Sequence, residues 1–200
     1  MSDGRTRLLE SAERLYAERG LDGVSLREIT EAAGQRNNAA VHYHFGGRDG
    51  LVRALFELRF AALDQRRADL LAGLGDDPSV EDLVRVLVVP FAEAAGDDEG
   101  HWVRFVARLH EDPRFNPFAG ELPYGASEDV TVATREVSAR IRHHLAVDPD
   151  EAVLRMYLVT TLAVHAVADH QAMGAAARIP GGERFTDAVV AAALAILTAS

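Results

Sequence analysis

Apolar side chains in this chain return every three or four positions over nearly its whole length, and nowhere do they alternate with polar ones. That period belongs to an α-helix, and it leaves no segment able to line one face of a sheet. The expected fold class is therefore all-α. Leu8, Ala12, Leu15 and Tyr16 mark the first helix, and Gly20 follows as its stop. Ser25 with Glu28 three residues later reads as a capping box opening a second helix, whose buried side is Leu26, Ile29 and Ala33 and whose end is Gly34. A short third helix is expected over about 38–44. One long helix over about 48–73 then spans roughly 38 Å at about 1.5 Å per residue. Further helices are expected at about 80–95 (N-cap Ser79), 100–111, 127–146, 149–173 and 182–198.

Two hundred residues with no cysteine exclude disulfides and thiolate chemistry, and they suffice to bury a core without staples. The N-terminus lacks the apolar run of a signal peptide, and Val159–Ala168 reads as too short for a membrane span. A soluble, cytoplasmic protein with no membrane association is expected. The formal charge of −10 is unevenly placed. Residues 1–60 carry nine arginines against nine acids, and residues 61–200 carry twelve against 22, so the whole excess lies in the second part. A neutral, arginine-bearing head on an acidic body would meet a polyanion head first.

Two short helices joined by a tight turn and held by a preceding helix make a helix-turn-helix, whose second helix enters the major groove. On a helical wheel at about 100° per residue, Val41 and Phe45 point to the core. Asn38, Ala39, His42 and Tyr43 form one contiguous polar and small arc beside them, and His44 falls next to the core side. Small Ala39 admits a close backbone and offers a methyl to thymine. Asn38 suits adenine and His42 a base acceptor, while Arg36 and Tyr43 suit phosphates. Asn37 reads as an N-cap.

These residues carry a resemblance. "LLESAERLYAERGLDGVSLREITEAAG" followed by "YHFGGRDGL" resembles the N-terminal domain of the TetR (tetracycline-repressor-like) family of transcriptional regulators, over residues 5–51. The resemblance implies a helix-turn-helix DNA-binding domain at 1–47 and a helical ligand-binding and dimerisation domain at 48–200. It places Ser25, Tyr43 and Arg48 at phosphate-contacting positions, and Gln35, Arg36, Asn37, Asn38, Ala39 and His42 at the DNA surface. Arg48 stands where the family usually has lysine, which keeps the charge but changes the geometry. From Gly34 to Phe45 the chain is one residue longer than the common family spacing, the extra residue lying in "QRNN".

For the remainder, the resemblance implies a homodimer through the helices at about 149–173 and 182–198, double-stranded palindromic operator DNA as partner, and a small-molecule effector that releases it. The 149–173 helix carries two apolar stripes, Val153/Tyr157/Thr160/Val164/Val167 and Leu154/Leu158/Thr161/His165, and so should be buried on two sides. The candidate ligand-binding residues are Trp102, Phe105, Val106, Leu109, Tyr157, Thr161 and His165, with Phe91, Phe115, Phe118 and Tyr124 closing the site. Arg104 or Arg108 is placed to pair with an anion. No cofactor, metal or catalytic residue is expected: His165 and Asp169 alone share helical metal spacing, and no hydrolase or phosphate-loop motif is present. Alternative readings are an enzyme, or a helical small-molecule-binding protein whose helix-turn-helix serves only protein contacts.

Overall fold

The computed structural model describes residues 4–35, 39–97, 101–118, 127–174 and 178–199, and all its regular structure there is helical. The elements are α1 (Gly4–Arg19), α2 (Leu26–Ala32), α3 (Ala39–Phe45), α4 (Arg48–Ala72), α5 (Val80–Asp97), α6 (Trp102–Glu111), a 3-10 turn (Glu128–Val130), α7 (Val132–His144), α8 (Pro149–Met173) and α9 (Glu183–Thr198).

Capping chemistry starts the helices where the side chains foretell. Ser25 accepts from the Glu28 amide at 3.2 Å, and its own amide and hydroxyl donate to the Glu28 carboxylate at 2.8 and 2.7 Å. Ser79 and Asp82 repeat the arrangement at α5. Asp148 accepts from the amides of Asp150 and Glu151 in front of Pro149. Each box satisfies amides that the first helical turn leaves without partners.

The one displaced start is that of α7, expected from about 127 and found at Val132. Its cap comes from another helix. Asp64 of α4 accepts from the Ala133 and Thr134 amides at 2.9 and 2.8 Å and from the Thr134 hydroxyl at 2.5 Å. A buried carboxylate facing a helix N-terminus satisfies orphan donors and meets the positive end of the dipole. No local pattern could show it, because the capping residue lies about seventy positions away.

Two apolar cores result. One joins α1, α2, α3 and the first half of α4 to α6 and the end of α8; the other joins α5, α7, α8 and α9. The first runs across the expected boundary at 47/48, since Leu51, Val52, Leu55 and Phe56 share it with Leu8, Tyr16 and Val41. Tyr16 stacks on Phe105 with ring centroids 6.2 Å apart. Burial pushes the Tyr16 hydroxyl up to about 12. Buried Glu13 on α1 is held by Arg59 of α4 at 2.8 Å. Arg114, after α6, reaches both Asp112 and Asp22 in the α1–α2 loop.

α8 departs from expectation in two ways. It is, among the described residues, the one helix long and apolar enough to cross a membrane, with a mean hydropathy of 1.3 over its most apolar window. Here it packs against α5, α6, α7 and α9. Nor is it buried on both stripes. Ala152, Met156, Val159, Ala163, Val164 and Val167 are buried, whereas Val153, Leu154, Tyr157 and Leu158 stand exposed.

Candidate nucleic-acid interface and internal cavity

The short helix α3 is built to offer one side to solvent. Val41 is fully buried and Phe45 packs against the same core. Ala39, His42 and Tyr43 are exposed, Tyr43 at 85%. An aromatic ring that far out of the core gains nothing from burial, so folding alone does not account for it. Its ring meets His44 edge-on at 5.0 Å. His44 is exposed rather than tucked beside the core, because the wheel angle that brings it toward that side meets no covering element.

Glycines set the join to α4. Gly47 has φ of 136° in a conformation L side chains rarely adopt, and a Cβ on Gly50 would lie 1.8 Å from the Phe45 carbonyl oxygen. The backbones of α3 and α4 thus meet closely, which only glycine permits.

The other expected contact residues are placed unevenly. Ser25 is exposed at the start of α2, but its one hydroxyl proton is committed to Glu28. The Ser25 hydrogen bonds, together with that from Arg19, hold the Glu28 carboxyl down at about 2. The backbone N–H of half-buried Gln35 donates to the Thr30 carbonyl. Arg48 donates to the Leu21 carbonyl at 2.5 Å, one of five N–H donors on its fork. Arg36, Asn37 and Asn38 lie outside the described residues. Arg5 was not expected: its guanidinium sits 5.3 Å over the Phe45 ring, placing a cation beside α3. It lies forty residues from Phe45, and no local spacing signals it.

The body contains a cavity of about 300 Å³ among α4, α5, α6, α7 and α8. Its apolar wall includes Phe60, Leu63, Phe91, Val106, Phe118 and Val164, and its polar wall holds Arg67, Thr134, Arg135, Ser138, Arg142 and Thr160. Of the residues expected around a ligand, Phe91, Val106 and Phe118 line it. Trp102, Phe105 and Leu109 do not; they are buried in the core that α6 shares with α1 and α4. A helix has two usable faces, and the larger aromatic face of α6 covers Tyr16 and Phe56 instead. Tyr157, Thr161 and His165 do not line it either. On α8 it is Met156, Thr160, Ala163 and Val164 that face the space. The three expected residues follow these by about 100° of turn. Tyr157 meets Phe118 edge-on at 5.3 Å, and His165 meets His110 at 6.2 Å. The Thr161 hydroxyl is buried without a hydrogen-bond partner among the described residues. Phe115 is buried in the core, and Tyr124 lies outside the described residues. Arg108 pairs with Glu111 on the surface, and neither it nor Arg104 reaches the cavity.

Burial, and secondarily the nearby His165, pulls His110 down to about 4. Its neutral form is therefore the folded one. Below about pH 6.5 the unfolded chain takes up a proton that the folded chain refuses until about pH 4. Stability from this group is intact above 6.5 and is lost as pH falls across that window. At about 1.4 kcal/mol per unit the loss is on the order of 3 kcal/mol. Urea denaturation at stepped pH should show the slope in the wild type. It should be flattened between pH 6.5 and 4 in His110→Leu, and an equal slope in both proteins would rule the assignment out.

The comparisons with known proteins agree with this architecture. Residues 8–55 match the family described as bacterial regulatory proteins, tetR family. The HTH-type transcriptional repressor AcnR of Corynebacterium glutamicum is 29% identical over 90 residues, covering 42% of this chain and 47% of that protein. AcnR of Corynebacterium efficiens is 24% identical over 165 residues, covering 80% of this chain and 78% of its own length. The match to the first of these relatives thus spans about half of its length. Among solved structures, a Shewanella sp. PV-4 chain assigned to the tetR family of transcription regulators superposes with a TM-score of 0.64 at 15% identity, over 96% of each chain. That likeness concerns the fold, and it extends beyond the N-terminal match to nearly the whole molecule. The helix-turn-helix, from α1 to the head of α4, thus matches that of the tetR family of bacterial regulatory proteins, and the helical body behind it shares its fold with the Shewanella chain.

Proposed function

We propose that this protein is a transcriptional regulator, a repressor that holds a palindromic operator as a homodimer and leaves it when a small molecule fills the body cavity. The observation that carries the reading is the exposed arc of α3, with Tyr43 at 85% exposure on a helix whose other side is anchored by Val41. Residues 1–47 serve as the DNA-reading head and 48–200 as the sensing and pairing body. Ala39 and His42 meet base edges; Tyr43, Arg48 and Arg5 meet phosphates; Ser25 acts chiefly by capping α2. Arg36, Asn37 and Asn38 are assigned to DNA contact from the sequence alone. Such a protein works in the cytoplasm on double-stranded DNA, and its chemistry is binding rather than catalysis.

The pairing face is supplied by α8 and α9. Leu154, Tyr157 and Leu158 are exposed on α8, and Ala188, Ala191, Ala192 and Ala195 on α9. Large apolar side chains beside a strip of small ones let two copies pack closely. Two-fold symmetry then sets the recognition helices about 34–36 Å apart, one turn of DNA.

Coupling runs along α4. Phe60, Leu63 and Arg67 line the cavity, while Leu51 and Gly50 at its other end press on α3. An effector that moves α4 changes the spacing of the two heads. Moving such an equilibrium from 1:99 to 99:1 takes about 5.5 kcal/mol of differential affinity.

Fluorescence anisotropy with DNA flanking the protein's own gene tests the reading. Binding should be specific and should weaken steeply with salt, because several phosphates are contacted. Tyr43→Ala should lower affinity about 10-fold on every sequence alike and reduce the salt slope by about one. The variant should fold normally, since the side chain covers no core. A salt-independent complex, or a Tyr43→Ala protein indistinguishable from wild type, would remove α3 from the groove.

A further inference from the structure

Resting on the effector reading above, we infer that the cavity selects an organic acid carrying a single negative charge. The chain as a whole is strongly acidic, yet the cavity's described lining holds three arginines and no carboxylate. The balance of charge around them is specific. Arg67 donates to the Thr134 hydroxyl at 2.8 Å and to the Leu87 carbonyl at 2.7 Å, and the Thr134 hydroxyl passes its own proton to Asp64. Asp64 thus offsets Arg67 through one intervening hydroxyl. Arg135 is offset by Glu128, whose carboxylate lies 3.8 Å away and whose carbonyl accepts at 3.2 Å. The Arg142 guanidinium has neither an ion pair nor a hydrogen bond among the described residues. One positive charge therefore remains at the cavity wall for a ligand to balance.

Position agrees with this count. Arg135, Ser138 and Arg142 recur at spacings of three and four along α7, so they form one polar stripe down the helix face that borders the cavity. Across the space stand Phe60, Leu63, Phe91, Met156 and Val164. A ligand with an apolar body and one carboxylate satisfies both walls. At about 300 Å³ the space sits at the small end of ligand pockets. A phenyl ring or a short alkyl chain bearing the acid matches it in scale.

The test compares acids with neutral isosteres: phenylacetate against phenylacetamide, and hexanoate against hexanamide, titrated calorimetrically into the full-length protein. A charge-assisted contact in a partly dry site favours the acid by about 10- to 100-fold. In Arg142→Gln, a change at an exposed position, that preference should collapse while the weak affinity for the amides stays as it was. Circular dichroism confirms that the variant is folded. Amides binding as tightly as acids, acids failing to bind, or a preference that survives Arg142→Gln would each overturn the inference. Anisotropy on operator DNA in the same samples keeps the two readings apart. A neutral compound that releases DNA would overturn the acid selectivity and leave the effector role standing. An acid that binds through Arg142 without loosening DNA would remove the effector role and leave the acid site standing.

Discussion

If the proposed pairing face is right, replacing Leu154 and Leu158 together with glutamate should split the proposed homodimer and lower affinity for its operator by about 100- to 10 000-fold. Both side chains are about half exposed on α8, at 50% and 43%, and neither belongs to either apolar core. The monomer should therefore keep its helical content and its unfolding midpoint. The loss arises because two heads on one rigid frame bind the second half-site at high effective concentration, and a lone head has no such advantage. Light scattering should report half the wild-type mass, and anisotropy should show the drop on a two-half-site operator but little change on a single half-site. A variant that remains dimeric and binds the full operator normally would place the pairing face elsewhere.

Asp64→Ala should cost about 3–5 kcal/mol of folding stability, a large part of what a domain of this kind possesses. Three groups donate to that carboxylate: two amides at the start of α7 and the Thr134 hydroxyl. Removing it strands those donors and leaves the buried Arg67 without its offsetting charge. Urea denaturation measures the loss. Asp64→Asn should recover part of it, since an amide oxygen still accepts, while the charge balance is not restored. Calorimetry with an acid probe on the asparagine variant should then show tighter binding, because Arg67 gains a claim on the ligand's charge. An alanine variant within 1 kcal/mol of wild type would mean that α7 finds another cap and that the Asp64–Thr134–Arg67 chain holds little together.

Both features depend on long-range packing: which side of α8 is left uncovered, and the cap that Asp64 of α4 lends to α7. The outward side of α3 was legible beforehand because it is a property of seven consecutive residues: a fixed angular step decides that Val41 turns inward when Tyr43 turns outward. The caps at Ser25 and Ser79 were legible for the same reason, since each bond spans three residues. The aromatic stripe of α6 was visible as a stripe, but its use was not. Periodicity says that Trp102, Phe105 and Leu109 share a face, and it is silent on whether that face meets a ligand or Tyr16. The same holds for α8, where periodicity marks two apolar stripes and only packing tells which residues are covered.

From its own order of residues the chain determined its helices, most of their ends, the neutral head on an acidic body, and the side of α3 left exposed. Each follows from interactions between residues within about one or two helical turns. Tertiary structure alone decided where α7 begins, that Arg5 stands beside α3, and that Arg67, Arg135 and Arg142 gather around one cavity. Those outcomes depend on pairs as far as seventy positions apart, such as Asp64 and Thr134. Their meeting is set by how whole helices pack, which no local period encodes.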